Sequence, residues 1–314
     1  MTPEVTVIIP TFCRPAELYR AAKSALEQSG PPAFKMLIVD NDPAGSAKST
    51  AEKLINEAPA GISVRYIHEP NPGVANARNT AISHTATRLV AFLDDDQSVP
   101  ENWLAALTSF NAEFPAPATF GPVITKLPDS ARLHRPYLEE FFARTPGLQP
   151  GYIDEYFGCG NCLLDLSLIK SEAPLFDKAM NETGGEDDLL FQAISNNGQK
   201  FGWCADAPAF EHVPESRATL NYTLKRAFAY GQGPVTLARK ASPRQNLKIA
   251  LWMMIGSTKA VFNAALYAGS WIIRSPSRAK FLDRAIRGAG KVLWWVNMKI
   301  YGAGALKKKA ISQS

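Results

Sequence analysis

An unbroken apolar run, Leu89-Val90-Ala91-Phe92-Leu93, ends abruptly in three aspartates, Asp94, Asp95 and Asp96. The run has the length and residue types of a buried strand. Three like charges at its end repel one another unless a cation compensates them and the strand end opens into a cleft. On a strand, Asp94 and Asp96 point to the same face. That pair can share one Mg²⁺ or Mn²⁺ and leave coordination positions for substrate phosphates. The competing reading is a solvated acidic turn capping a helix that starts near Pro100.

The chain before this point repeats one unit. Val5–Pro10 reads as a strand, followed by a loop from Thr11 to Pro15 and a helix from about Ala16 to Gln28. Leu18, Ala21, Ala22, Ala25 and Leu26 fall on one face of that helix. Strands are expected at 34–39 and 63–68, and helices at 49–58 and 74–83. Strand and helix alternating four times predict an α/β fold with a parallel, doubly wound sheet. Ligands bind such sheets at the carboxyl ends of the strands. Asp40 and Asp42, Glu69, and Asp94 to Asp96 sit at three of those ends and are expected to share a cleft. Between 111 and 144 the chain is Pro-rich and reads as an irregular cover segment.

Several classes fall away. A dinucleotide-binding Gly-x-Gly-x-x-Gly is missing after the first strand, which continues Thr11-Phe12-Cys13-Arg14-Pro15-Ala16. There is no Walker A sequence. A nucleotidyltransferase would bring a Gly-rich, cationic loop here, and this loop has one Arg and no Gly. Cys159 and Cys162 form a lone Cys-x-x-Cys, so a structural zinc is not expected, and the thiols read as reduced and buried. His68, His84 and His134 show no ligand spacing. Residues 1–10 have neither a basic start nor an apolar run long enough for a signal peptide, which points to the cytoplasm.

The segments VIIPTFCRP, LIVDND, EPNPGVANARN and VAFLDDDQSVPENWL, in this order and spacing, resemble the nucleotide-sugar half of family 2 glycosyltransferases. The resemblance runs from about Val5 to Pro214. It is greatest to bacterial exopolysaccharide enzymes of the succinoglycan glucosyltransferase type. It implies the GT-A fold, a Rossmann-like nucleotide-sugar-binding sheet with helices on both faces. It also implies metal-dependent, inverting transfer of a hexose from a nucleotide sugar, UDP-linked, to a lipid-linked saccharide in cell-surface or exopolysaccharide synthesis. The alternative is a non-catalytic nucleotide-sugar-binding assembly protein of GT-A shape, which would need one of the acid clusters to be lost.

The resemblance assigns roles residue by residue. Pro10, Thr11 and Arg14 line the base pocket, and Asp40 or Asp42 meets the base or ribose, with Glu69 at the neighbouring strand end. A turn-forming role is the bland alternative for Asp40. Arg78 pairs with the diphosphate, or is an exposed helix-surface arginine. Asp94 and Asp96 bracket Mn²⁺ or Mg²⁺, with His212 completing the site, and Asp95 contacts the ribose or sugar. Asn161 touches the sugar. In Gly184-Gly185-Glu186-Asp187-Asp188, Asp187 is the base, Glu186 helps hold the acceptor, and Asp188 is the fallback. Acids in a first helical turn also complement the helix dipole. Trp103 and Leu104 are expected to anchor the following helix in the core.

The charge is divided along the chain. From Arg217 onward there are 18 Lys/Arg and one acid, against 16 Lys/Arg and 28 acids before it. A GT-A domain over 1–215 and a basic, amphipathic helical membrane-associating region over 216–314 are therefore expected. Residues 247–273 are almost continuously apolar, about 40 Å as a helix at ~1.5 Å per residue. Lys248, Lys259, Asn263, Ser270 and Arg274 fall on one stripe at helical spacing. In 279–301, Lys280, Arg284, Arg287 and Lys291 share a face, and Lys307–Lys309 are basic. Three arrangements are open: helices lying on an anionic membrane surface, a spanning helix, or helices packed on protein. Nucleic acid is disfavoured because the tail is too apolar. The expected location is the cytoplasmic face of the bacterial inner membrane, peripheral or monotopic.

Overall fold

The computed structural model describes residues 5–30, 32–170, 174–181, 184–241, 243–272, 275 and 277–296. Residues 1–4, Ile273, Arg274 and 297–314, the last including Lys307–Lys309, lie outside the described residues. The described residues fall into two units, one of 5–124 with 143–212, the other of 125–142 with 213–296.

The first unit opens with the alternation expected from sequence: β1 (Val5–Thr11), α1 (Pro15–Leu26), β2 (Phe34–Asp40), α2 (Lys48–Glu57), β3 (Ser63–His68), α3 (Val74–Ser83) and β4 (Leu89–Phe92). After it come β5 (Gln97–Ser98), α4 (Trp103–Glu113), β6 (Ala118–Phe120) and β7 (Val123–Lys126), which crosses into the second unit. The second unit holds α5 (Arg135–Phe142). The first resumes with β8 (Gly151–Ile153), β9 (Cys162–Asp165), α6 (Glu186–Asn196), β10 (Phe201–Trp203) and β11 (Ala209–His212).

Eight strands form one sheet in the order β3-β2-β1-β4-β9-β6-β10-β8. The first four are parallel, with Thr11 opposite Asp40 and Asp40 opposite His68. β9 is antiparallel to β4, with Cys162 opposite Phe92. The chain just before β9 is thereby placed at the same edge as the chain just after β4. Alternate residues of β1 face opposite sides. Val7 and Ile9 join Leu18, Leu54, Trp103 and Leu104 in one core layer, whereas Ile8 joins Phe92, Phe176, Leu190 and Phe191 in the other. Trp103 and Leu104 are fully buried, as expected of an anchor.

The segment 111–144 is more ordered than its prolines suggest. It contains β6, β7 and α5, and Pro136 sits in the first turn of α5, where a missing N–H costs no helical bond. Strands of three and four residues framed by proline, β6 and β7, leave no periodicity to read.

The second unit also holds α7 (Leu220–Lys240), α8 (Asn246–Ile272) and α9 (Arg278–Val292). The sequence reading did not anticipate α7, which runs through Gly231, Gly233 and Pro234 and is capped by Thr219, whose hydroxyl accepts from the Tyr222 amide at 3.2 Å. Glycines let the backbones meet. A Cβ on Gly231 would strike the Arg287 carbonyl, one on Gly290 the Phe228 carbonyl, and Gly256 and Gly288 face each other. Such close approach through small residues is the packing mode of helices in apolar surroundings.

The polar stripe of α8 is divided by this packing. Asn263 and Ser270 are buried with Ile249 and Gly256, while Lys248 and Lys259 stay exposed. The two buried groups bond their own helix, Asn263 to the Lys259 carbonyl at 2.8 Å and Ser270 to the Tyr267 carbonyl at 2.6 Å. The basic face of α9 is also partly engaged. Lys280 pairs with Glu140, and Arg287 donates to Asp283 at 2.7 Å while its guanidinium lies over Tyr230.

Candidate active site

The carboxyl ends of β1 to β4 lie side by side, and their loops are tied together. Thr11 donates its hydroxyl to Asp95 at 2.8 Å. Arg14 donates to Asp95 at 2.8 Å and to Asp96 at 3.0 Å. Both Asp95 oxygens are thus engaged by the first loop and the residue is buried, so it braces the cleft where a sugar contact was expected. Pro10 is half-buried just ahead of that loop.

The aspartate triplet does not keep strand alternation. β4 stops at Phe92, and the Gln97 amide closes a turn onto the Asp94 carbonyl at 3.1 Å. Asp95 and Asp96 therefore share Arg14, where Asp94 and Asp96 were expected to share a face. Asp94 turns the other way, with its side chain 43% exposed and 3.9 Å from Arg78. A Cβ on Gly160 would run into the Asp94 carboxylate, which explains the glycine.

Asp40 is fully buried and accepts from the Asp42 and Ala47 amides at 3.1 and 2.8 Å and from the Tyr66 hydroxyl at 3.1 Å. It secures its turn, and Asp42 likewise accepts from the Ala44 amide at 3.1 Å. Glu69 accepts from Asn71 and, at 2.5 Å, from Thr80 of α3. Asn41 joins these loops. It donates to the Glu69 and Asn71 carbonyls at 3.0 and 2.7 Å and accepts from the Gly73 amide at 2.6 Å.

Asn161 is placed differently from expectation. Its side chain is fully buried, accepts from Trp103 Nε1 at 2.7 Å, and donates to the Pro122 and Ala207 carbonyls at 2.7 and 2.9 Å. With both amide hydrogens and the oxygen committed, it holds the fold and is closed to a sugar.

The second acid group opens α6. Gly185, left-handed at φ 89°, turns the chain into a helix whose first turn is Glu186, Asp187 and Asp188. Asp187 accepts from the Cys159 amide at 3.1 Å and stands 3.7 Å from Arg78. Glu186 is buried against Arg78 itself. Arg78 thus faces both acid groups and is 6% exposed, which removes the surface-arginine reading. Glu186 Oε2 and Arg78 Nε are buried with no hydrogen-bond partner among the described residues.

The turn 158–161 lies between the two groups, with Gly160 against Asp94 and the Cys159 amide on Asp187. Arg144, which the sequence reading missed, binds this turn through its carbonyls. No local motif marks it. Cys159 and Cys162 are buried thiols, and none of the four cysteines is in a disulfide.

Carboxylates outnumber cations here. Burial and the charge of Asp95 push Asp96 up to about 7 in spite of Arg14, and burial pushes Glu186 up to about 7 against the pull of Arg78. Among the described residues, no three His, Cys, Asp or Glu side chains form a ready ligand set. His212 lies beside the triplet, its amide donating to the Asp96 carbonyl at 2.8 Å, but its Nε2 is 2.8 Å from Ser98 Oγ. Asp94 offers an exposed carboxylate with hard oxygen donors to a divalent cation, while Asp96 is turned to Arg14 and the His212 imidazole to Ser98.

A parallel half-sheet with an acidic turn at its edge, facing a second acid group across a glycine turn, can be compared with known proteins. The family model of Glycosyl transferase family 2 matches residues 6–169, just over half of the chain. The chain belongs to glycosyltransferase family 2. Succinoglycan biosynthesis protein ExoM of Rhizobium meliloti (strain 1021) is 28% identical over 306 residues, 95% of this chain and 94% of that protein. The mannosyltransferase PcManGT of Pyrobaculum calidifontis, solved with GDP-Man and Mn²⁺, superposes with a TM-score of 0.63 at 18% identity, over 95% of this chain and 89% of that one. S. aureus TarS 1–349 in complex with UDP-GlcNAc gives a TM-score of 0.52 at 14% identity, over 92% and 90%. This family 2 glycosyltransferase therefore has the GT-A fold expected from its sequence, and it is similar over most of its length to a succinoglycan biosynthesis protein.

Proposed function

We propose that this glycosyltransferase moves a hexose from a UDP-sugar to a lipid-linked saccharide, with inversion, at the cytoplasmic face of a bacterial membrane. The observation that carries the reading is the pair of orphaned polar atoms between the acid groups. Arg78 Nε and Glu186 Oε2 are buried without a hydrogen-bond partner among the described residues, beside Asp94 and Asp187. An unpaired buried polar atom costs about 1–3 kcal/mol. A diphosphate oxygen suits the guanidinium and an acceptor hydroxyl suits the carboxyl. Asp187, oriented by the Cys159 amide, takes the proton of the acceptor hydroxyl as that oxygen bonds to the sugar C1. The bond from C1 to the diphosphate breaks, and its electron pair leaves with the nucleotide. A Mn²⁺ or Mg²⁺ held at the exposed Asp94 carboxylate, with Asp96 joining once it leaves Arg14, would supply neutralisation of the departing diphosphate.

The loops after β1 and β2, with Thr11, Arg14, Asp40 and Asp42, form the nucleotide side of this reading. The relatives span both UDP and GDP donors by their bound ligands, and the kinship to a succinoglycan protein favours a sugar of cell-surface polymers. Membrane association is supported by α8, the one helix among the described residues long and apolar enough to cross a membrane. Leu247, Met254, Val261, Phe262 and Ile272 are exposed along it.

The test is a binding and hydrolysis screen of purified protein in detergent against UDP-glucose, UDP-galactose, UDP-GlcNAc, GDP-mannose and a dTDP-sugar, each with Mn²⁺, Mg²⁺ or EDTA. Metal-dependent turnover of a UDP-sugar, abolished in Asp187→Asn with donor binding kept, is the expected result. Wild-type turnover by that variant overturns the base assignment.

A further inference from the structure

Arg144 forms no ion pair with any described residue, yet its guanidinium is enclosed by backbone. Nε donates to the Gly121 carbonyl at 2.9 Å, Nη1 to Gly158 at 2.8 Å, and Nη2 to Gly160 at 2.6 Å and Asn161 at 2.7 Å. The rings of Phe120 and Phe157 lie 5.8 and 5.6 Å from its centre. Burial pushes its pKa down to about 10. Keeping a cation in such a place has a cost that paired carbonyls only partly offset. Three of its four acceptors belong to the single turn between Asp94 and Asp187.

A planar peptide fixes what this does on the other side. The carbonyl of Gly158 and the amide of Cys159 are opposite ends of one peptide unit. Arg144 holds the carbonyl end, and the amide end donates to Asp187 at 3.1 Å. Two residues on, Arg144 holds the Gly160 carbonyl, and the Cα of Gly160 backs onto the Asp94 carboxylate. One fork of donors therefore sets both contacts. Lysine, with a point ammonium and no planar fork, cannot span three carbonyls in this way.

We propose that Arg144 is a positioning residue, which locks the 158–161 turn so that the Cys159 amide orients the Asp187 base and Gly160 seats Asp94. The inference rests on the assignment of Asp187 as base and Asp94 as part of the donor site. Asp187 is surrounded by Arg78 of α3, by Tyr156 and Cys159 of the turn segment, and by Glu186 and Asp188 of its own helix. Of these, the Cys159 amide is the contact that Arg144 controls.

The experiment compares wild type, Arg144→Lys and Arg144→Met by thiol labelling and by kinetics. Cys159 lies in the turn, Cys162 follows it, both are buried, and Cys204 is a buried thiol elsewhere in the same unit. Labelling with a maleimide, read by peptide mass, is expected to open Cys159 and Cys162 in both variants at least tenfold faster than in wild type, with Cys204 unchanged. Hydrolysis of UDP-glucose, or of whichever donor in the screen the wild type turns over, is expected to lose at least tenfold in kcat. KM for the donor should change less than threefold. Arg144→Lys matching wild type in labelling, or Cys204 opening together with the other two, overturns the proposal. The labelling decides even where no donor is turned over, so a failure of the functional assignment is separable from a failure of the turn lock.

Discussion

The guanidinium of Arg78 lies against the carboxylate of Glu186, both buried, joining α3 to the first turn of α6 across 108 positions of sequence. Helix α6 reaches the site through this contact, since Asp187 follows Glu186 directly. Burial of Glu186 is tolerated because Arg78 is there, and the orientation of Asp187 inherits that constraint.

Removing one partner exposes the cost. Arg78→Met leaves Glu186 buried without its cation, and at alkaline pH, where Glu186 must ionise, such a break costs up to about 3–5 kcal/mol. The double variant Arg78→Met with Glu186→Gln removes the stranded charge and should recover a large part of that stability while remaining inactive. Urea unfolding of the three proteins checks this. Equal stability of single and double variants would show that the pair carries no coupling.

Asn161→Ala should damage the fold more than donor recognition. It strands the Trp103 indole N–H, and an unmade buried hydrogen bond costs about 1–3 kcal/mol. It also places Ala at φ 59°, a left-handed conformation that disfavours any residue with a Cβ but suits Asn. A lower Tm with donor KM within about threefold of wild type in the folded fraction is the expected outcome. A raised KM with unchanged Tm restores the sugar-contact role.

These two cases show where sequence reading stops. The alternation from β1 to β4 was legible because each apolar run declares its own burial, and β3 and α3 have the predicted bounds. The mixed half was not, because β6, β8 and β10 are three residues long and paired across distant sequence. The aspartate cluster was visible as a charge problem. Its side-chain directions were not, because β4 ends at Phe92 and the turn replaces alternation. Asn161 looked functional in a glycine turn, yet its role depends on Trp103, 58 positions away. Arg144 gave no signal, since its partners are carbonyls, which any residue could present.

The acid surplus predicts an unusual pH response. Asp96 and Glu186 have ordinary values of 3.8 and 4.5 and are pushed up to about 7 in the folded protein. Between those limits the native state holds protons that the unfolded chain has lost, so their contribution makes stability fall as pH rises. The loss is complete above about pH 7. In EDTA, the Tm should be lower at pH 8 than at pH 5.5, and Asp96→Asn should flatten the slope. Mn²⁺ should raise the Tm more at pH 8, where the carboxylates are ionised. A Tm that climbs between pH 5.5 and 8 in EDTA, with the same slope in Asp96→Asn, contradicts the surplus.

The outward face of α8 makes a prediction about lipid. Asn263 and Ser270 sit in the helix seam and bond their own carbonyls, so the residues left outside, Leu247, Leu251, Met254, Val261, Phe262 and Ile272, are apolar. Lys248 and Lys259 are exposed as well and suit anionic headgroups. A charge placed mid-helix costs about 2.5–3.5 kcal/mol in apolar surroundings, roughly 100-fold in partitioning. Val261→Glu and Phe262→Glu should each lose co-sedimentation with phosphatidylcholine–phosphatidylglycerol vesicles by about that factor. Donor hydrolysis in detergent should be unchanged. Raising the salt should weaken wild-type binding only in part, because the apolar contact is not screened. Binding abolished by salt alone and indifferent to Phe262→Glu would assign the membrane contact to the basic residues and leave the apolar face to another protein surface.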